Sequence, residues 1–391
     1  MRILYYSSHP ALSLQSLSGY GTHMREVIGA FRAMGNEVLP LIMGGTHAEA
    51  EPGKAGFPLA RKWLKPLVPA YLWSSAKDYR ILRYDAYAQG VLKQHAADFQ
   101  PDLIYERAAY LQHSGVHVAQ QLGIRHILEM NSPYVEEHEL LNGRSAFLKR
   151  AFNVERKQVS MSGKVCVVSS ALRDYLIDRH PVPATRFQVI PNAINPAHLK
   201  VDADAVKHLR ARLGLGKDLI LGFVGSIFPW HGVDILIEAF ARVQREIQDM
   251  RLLIVGSGEI LPDLQAKARG LGVEERVIFT GKVPHEEVFN FIAAMDITLL
   301  ANSHWYGSPV KLFEYGAMGK AIIAPDNVPV RDVMAHETEG LLVSPDAESV
   351  GQAIRLLAND VDMREKIALR FQQKVLEKHT WKQVAETILE M

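Results

Sequence analysis

Residues 219–232 read Leu-Ile-Leu-Gly-Phe-Val-Gly-Ser-Ile-Phe-Pro-Trp-His-Gly. An apolar run stops at Gly225, turns through a loop marked by glycine and proline, and resumes after Gly232 in a helical pattern. A strand that is apolar at successive positions is covered on both faces, and a strand that turns directly into a helix is half of a parallel crossover unit. The unit recurs downstream, with strands predicted at 251–255, 276–279, 297–300, 321–324 and 340–343, and helical pattern from about residue 347 onward. The first half repeats it at 3–6, 37–42, 102–105, 125–130, 164–168 and 187–190. There a glycine-bearing loop over 16–21 leads into a helix from Thr22 to Met34, closed by Gly35 as a C′ glycine. This alternation predicts an α/β fold of two doubly wound Rossmann-like domains facing a central cleft, with ligands at the carboxyl ends of the strands.

Between the halves, Pro191-Asn-Ala-Ile-Asn-Pro196 breaks the pattern and a charged, helix-prone stretch follows. The predicted domains are 1–195, a linker at 196–218, a second domain at 219–365, and C-terminal helices over 366–391 that pack back toward the first domain. A chain of 391 residues suits two cores better than one.

Charge and cysteine content narrow the function classes. The 44 basic and 43 acidic residues leave no global basic field, which argues against nucleic acid as a partner. Cys166, the single cysteine, lies in an apolar run, so a buried thiol is expected and neither a disulfide framework nor a cysteine zinc site can form. The opening apolar run is too short for a secretory leader, and no stretch reaches 18 apolar residues, so a cytoplasmic location is expected.

The chemistry concentrates at 306–320, Tyr-Gly-Ser-Pro-Val-Lys-Leu-Phe-Glu-Tyr-Gly-Ala-Met-Gly-Lys. Ser308 reads as an N-cap with Pro309 at N1, so the amides of Val310, Lys311 and Leu312 would point out of a helix start, where geometry and dipole favour an anion. Lys311 adds a full charge. Glu314, three residues on, shares its face and suits a ribose diol. Taken alone, the segment also fits a capped surface helix with a Lys–Glu pair. Three glycine turns accompany it: Gly225-Ser226 with His231 placed to donate to a phosphate, Gly258 in Val-Gly-Ser-Gly-Glu at 255–259, and Gly19-Tyr-Gly21 in the first half. Each also fits an ordinary tight β–α turn. None is G-x-G-x-x-G with an acidic ribose partner, which disfavours a dehydrogenase.

In order and spacing these segments, with 125–137, 189–195, 279–287 and 339–346, resemble family 4 of the retaining GT-B glycosyltransferases over nearly the whole chain. The resemblance implies a nucleotide diphosphate-sugar donor held by the second domain and transfer to a saccharide or lipid-linked saccharide with retention. On this likeness Glu314 holds the ribose, Val310 and Lys311 meet the diphosphate, Lys282 and Val283 line the nucleobase, and Gly19 and Gly21 form a phosphate loop. The departures matter. Tyr306 stands where the family's first glutamate of E-x7-E would be, and Ser226 and His231 stand where it has a basic pair. Lys311 and His231 are therefore expected to replace that pair jointly, with the loop 302–306 reading the sugar. Glu129 and Asn131 at the end of one strand, and Arg107 at the end of its neighbour, are candidates for contacting sugar or acceptor, against the alternative of a buried Glu129–Arg107 ion pair.

The mechanism implied is front-side attack, with the leaving diphosphate taking the acceptor's proton and the protein supplying position and electrostatics. No metal or cofactor is expected, and Asp202-Ala-Asp204 reads as linker rather than as a metal motif. The competing readings are a sugar-nucleotide 2-epimerase and a two-lobed solute-binding protein. Over 54–93, eight basic residues face two acidic ones, and Trp63 and Trp73 lie in an aromatic stretch at 54–73. That stretch reads equally as an acceptor-side membrane contact, which would make the protein peripheral at the inner membrane face, or as a hairpin packed on the first domain.

Overall fold

The computed structural model describes residues 1–16, 19–45 and 69–391. The expected contact through Trp63 lies outside these residues. The chain divides into unit 1, Met1–Ile190 with Val384–Met391, and unit 2, Pro191–Gln383.

Unit 1 runs β1 (Arg2–Ser7), α1 (Gly19–Ala33), β2 (Glu37–Ile42), α2 (Ala70–Phe99), β3 (Leu103–Arg107), α3 (Ser114–Leu122), β4 (Arg125–Met130), α4 (Tyr134–Asn142), α5 (Leu148–Met161), β5 (Lys164–Val167), α6 (Ser170–Arg179) and β6 (Phe187–Val189). The strands pair in parallel in the order β2-β1-β3-β4-β5-β6. Because neighbouring side chains alternate faces, Leu4, Tyr6 and Ile104 pack with Leu92, Ala96 and Val118 on one side. On the other side the rings of Tyr5 and Tyr105 meet at a tilt (5.4 Å, 36°), and Phe31 of α1 meets Tyr105 edge-on. Helix α1 starts at Gly19, three residues earlier than the sequence suggests, so Gly19 and Gly21 open a helix instead of forming a loop. Pro69 immediately precedes the 30-residue α2, so its ring stands outside the helix and costs it no hydrogen bond.

Unit 2 runs α7 (Ala203–Arg212), β7 (Leu219–Val224), α8 (Val233–Val243), β8 (Met250–Val255), α9 (Leu261–Gly270), β9 (Val277–Gly281), α10 (Val288–Ala293), β10 (Ile297–Leu299), α11 (Val310–Ala317), β11 (Ala321–Pro325), α12 (Val328–Arg331), β12 (Leu341–Val343), α13 (Ala347–Asn359) and α14 (Val361–Lys378); the last helix, α15 (Trp381–Glu390), begins in unit 2 and ends in unit 1. Its parallel sheet is ordered β12-β11-β10-β7-β8-β9. The core gathers Phe223, Leu252, Ile254, Ile297, Ile322 and the inner faces of α8, α11, α13 and α14.

Two expected boundaries shift. The stretch 196–218 is not a free linker: Leu209 and Leu215 are buried in the unit 2 core, and Arg210 donates to the Ala294 carbonyl (2.6 Å). Asp202 caps α7 through the amides of Asp204 (2.9 Å) and Ala205 (3.1 Å), which accounts for the Asp-Ala-Asp triplet. At the other end, α14 belongs to unit 2, because Phe371 packs where Gly316 of α11 has no side chain; a Cβ there would lie 2.6 Å from the Phe371 ring. Only Val384–Met391 returns to unit 1, where Arg125 donates to the Leu389 carbonyl (3.3 Å).

Candidate functional site

At the carboxyl end of the unit 2 sheet, three strand-end loops nest against one another through backbone. The N–H of Gly225 donates to the Val255 carbonyl (2.9 Å), that of Ile227 to Ser257 (2.9 Å), and that of Gly256 to Gly281 (2.9 Å). The approach is too close for side chains. A Cβ on Gly256 would sit 1.9 Å from the Gly225 oxygen, and one on Gly258 1.9 Å from the Ile227 oxygen. Gly225 and Gly256 also hold φ of +138° and +136°, which only glycine adopts cheaply. Ser226 is exposed on the first loop. Lys282, exposed, and Val283, packed on the core, follow Gly281 directly and so stand beside the Gly256–Gly258 turn.

Helix α11 opens onto this rim one residue later than its sequence suggests. Pro309, not Ser308, occupies the N-cap, and no side chain caps the helix. The Ser308 hydroxyl instead accepts the Asn192 N–H (3.0 Å), and its carbonyl accepts the Asn192 side-chain amide (2.6 Å). The Leu312 amide is spent on the Pro309 carbonyl (3.1 Å), so Val310 and Lys311 carry the N–H groups that open the helix. Leu312 and Phe313 are fully buried beneath them, and Tyr315 fixes the helix to the sheet by accepting the Val224 N–H at its hydroxyl (2.8 Å).

Lys311 runs from this helix start across Gly225, where a Cβ would lie 2.4 Å from its Cε. Its ammonium lies 5.4 Å from the Phe223 ring centre and 3.3 Å from His231 Nε2. His231 Nδ1 lies 2.7 Å from the Ser226 carbonyl, which can only accept, so Nδ1 carries the proton and Nε2 accepts from Lys311. The expected phosphate donor is thus a neutral ring that orients the lysine. Burial, then the Lys311 charge, push the imidazole down to about 3. Burial pushes the Lys311 ammonium down to about 8, while the Glu314 charge acts to raise it.

Next to His231 the aromatics form a row. Phe228 stacks on Trp230 (4.4 Å, 11°), Trp230 meets His304 (4.9 Å), and His304 stacks on Tyr306 (5.0 Å, 16°). Tyr306 is buried in that row, while Phe228 and Trp305 stay largely exposed.

Within unit 1 the candidates gather beneath α1. Parallel pairing aligns Ser7, Arg107, Glu129 and Cys166 across the sheet. Glu129 Oε1 accepts from Arg107 and Asn131 and lies 3.1 Å from His23 Nε2, while Oε2 accepts the Tyr105 hydroxyl (2.8 Å). Burial acts to raise the Glu129 carboxyl, but the charges of His23 and Arg107, with hydrogen bonds from His23 and Asn131, outweigh it and hold it well below the usual carboxylate range. The Glu129–Arg107 ion pair weighed from sequence therefore exists, enlarged by His23 and Tyr105. Gly21 is buried against the Ser16 carbonyl, and Arg25 donates to that carbonyl at 2.7 Å. Trp73 is half-buried on α2.

Sequence reading missed His23, Asn192 and Tyr315. The signal for His23 was weak: a histidine two residues after Gly21 faces β4 only once α1 starts at Gly19. For Asn192 and Tyr315 the partners lie 116 and 91 residues away.

Residues 17–198 match a family model described as Glycosyltransferase Family 4, and residues 218–360 match one described as Glycosyl transferases group 1. Alpha-D-kanosaminyltransferase of Streptomyces kanamyceticus is 26% identical over 63% of this chain, which spans 64% of its length. Alpha-monoglucosyldiacylglycerol synthase of Streptococcus pneumoniae is 26% identical over 78% of this chain and 69% of its own. Among solved structures, Anabaena HepE in complex with UDP and glucose superimposes with a TM-score of 0.73 at 18% identity, covering 100% of this chain and 98% of that one. WaaG, a glycosyltransferase involved in lipopolysaccharide biosynthesis, gives 0.67 at 15% identity, covering 100% and 99%. The expected α/β fold of two parallel sheets is therefore the GT-B fold.

Proposed function

We propose that this chain, a glycosyltransferase by both family matches and by its GT-B fold, moves a sugar from a nucleotide diphosphate-sugar to an acceptor hydroxyl with retention of configuration. The observation that carries the reading is the uncapped start of α11, with the Lys311 ammonium held over Gly225 beside it. Two helix-opening amides and a desolvated cation at one point suit a diphosphate, and they suit it best as negative charge grows on the leaving group. HepE has been solved with UDP, UDP-glucose and glucose, which supports a sugar-nucleotide donor. Glu314, one helical turn in, would take the ribose, and Lys282 and Val283 the base.

Lys311 would meet the diphosphate directly, with His231 as its positioning residue. Gly225, Ser226 and Gly258 would offer close backbone. Tyr306 supplies no carboxylate, so recognition of the sugar would fall to the polar and aromatic groups of loop 302–306. A carboxylate nucleophile is a poor fit to Glu129, whose two oxygens are already occupied and whose basicity is low. The bond from the sugar's anomeric carbon to the diphosphate would break as the acceptor oxygen bonds to that carbon, and an anionic oxygen of the departing diphosphate would take the acceptor's proton, with no metal or cofactor in the step. The acceptor class proposed is a saccharide or lipid-linked saccharide. Neither the epimerase nor the solute-binding reading is favoured by the family matches.

A thermal-shift panel of UDP, GDP and dTDP, followed by assay of slow hydrolysis of the matching nucleotide sugars, tests the reading. One diphosphate should raise the melting temperature and one sugar donor should be hydrolysed. Stabilisation by free sugars, with none by any nucleotide, would sink it.

A further inference from the structure

We infer that Asn192 is a positioning residue that holds the start of α11 uncapped, by keeping Ser308 from the two amides that a donor diphosphate would use. The inference rests on the donor reading above and adds to it a residue 116 positions away in the chain.

A serine followed by proline ordinarily begins a helix with the serine at the N-cap and the proline at N1. The serine hydroxyl then accepts the amide of N2 or N3. For Ser308 those amides belong to Val310 and Lys311. The helix instead starts one residue later, with Pro309 at the N-cap. Pro309 has a φ of −69°, already a helical value, and only its ψ of 113° keeps it out of the helix. Rotation about that one bond would make Pro309 the first helical residue and bring the Ser308 hydroxyl over the Val310 and Lys311 amides. The open start is thus one of two neighbouring arrangements, and the local sequence favours the other.

Asn192 holds the open arrangement from outside the helix. Its backbone N–H donates to the Ser308 hydroxyl (3.0 Å) and its side-chain amide to the Ser308 carbonyl (2.6 Å), so both Ser308 oxygens are engaged away from α11. Ser308 is buried, which strengthens both bonds. The segment that carries Asn192 is itself fixed. Ala193 and Ile194 are buried, the Ile194 N–H donates to the His379 carbonyl (2.9 Å), and the Ile194 carbonyl accepts the Trp381 N–H (3.2 Å). The side-chain amide is the half of this clamp that a substitution removes.

Hydrogen exchange of the ligand-free protein tests the clamp without any donor. In Asn192→Ala the Ser308 hydroxyl caps the helix, so the Val310 and Lys311 amides should exchange more slowly than in the wild type. Asn192→Ala/Ser308→Ala should lose the slowing. Calorimetry with whichever of UDP, GDP and dTDP binds the wild type tests the consequence. Asn192→Ala should weaken that diphosphate about fivefold. In a Ser308→Ala background the same change should alter affinity by less than about twofold, because no hydroxyl is left to compete. A residue that merely braces the loop would give faster exchange and an equal loss in both backgrounds, since its bond to the carbonyl of residue 308 survives the serine change. Either result overturns the inference and leaves the donor reading standing. If none of the three diphosphates binds the wild type, the donor reading fails and the positioning role fails with it.

Discussion

The two sheets share strand number and parallel pairing, yet their carboxyl ends are finished in opposite ways. In unit 1 that edge is filled with paired charge: Glu129 is held by Arg107, Asn131, Tyr105 and His23. The same unit buries His126 against Glu106 and His180 against Glu155, both at 2.9 Å. In unit 2 the edge is kept open by glycine, and a cation leans across it with a neutral histidine for support. A buried ionic network is costly to break, whereas an open helix start beside a desolvated ammonium gains most when an anion arrives. The first edge is built to hold its own shape, and the second to hold something else.

The sharpest way to break the comparison is Lys311→Ala. If the open edge binds diphosphate through this cation, transfer should fall by about 10²–10³-fold with an unchanged circular dichroism spectrum, and calorimetry should show UDP binding lost in proportion. Unchanged binding would mean that the open edge serves another purpose. On the other edge, Glu129→Leu should cost about 3 kcal/mol in urea denaturation, because Arg107 is left buried without its partner. UDP affinity should stay within about twofold if that edge is structural for the donor. Acid extends the test. The folded pKa of Glu129 lies below its ordinary 4.5, so the stability it contributes is fully present above about 4.5 and drains away as pH falls further. The wild type should lose that increment on acidification, and the leucine variant should not.

A smaller effect is expected from Gly225→Ala. The added methyl meets the Lys311 stem and forces a φ of +138° on a non-glycine residue, so UDP should bind about tenfold more weakly. The mildest test is pH itself. Since Lys311 loses its proton near 8, UDP affinity should fall as pH rises through about 8 and level off below it. A flat profile would shift the binding onto the amides alone.

The fold was legible because strand-to-helix alternation is a local signal, and both sheets follow from it. The linker was misread for the opposite reason: residues 203–212 show mostly charge, and Leu209 has meaning only against a core that the local sequence does not reveal. The open edge was partly legible, since Lys311, Glu314 and the glycines sit in short, ordered motifs. The cap assignment failed because Asn192 draws Ser308 away, and His231 was read as a phosphate donor because its tautomer is set by a carbonyl five residues back. The charged edge was the least legible, as its members come from α1, β3 and β4 and meet only in the folded sheet.

The return of Val384–Met391 to unit 1 carries a lesson for anyone dissecting the gene. Unit 1 is written in two pieces, with all of unit 2 inserted between them, so no single stop codon separates the halves cleanly. A fragment ending at Ile190 would leave Arg125 and Cys166 without Leu389 and Met391. Splicing the last eight codons after a short flexible spacer should restore a soluble unit 1, while unit 2 can be expressed as the single insert 191–383.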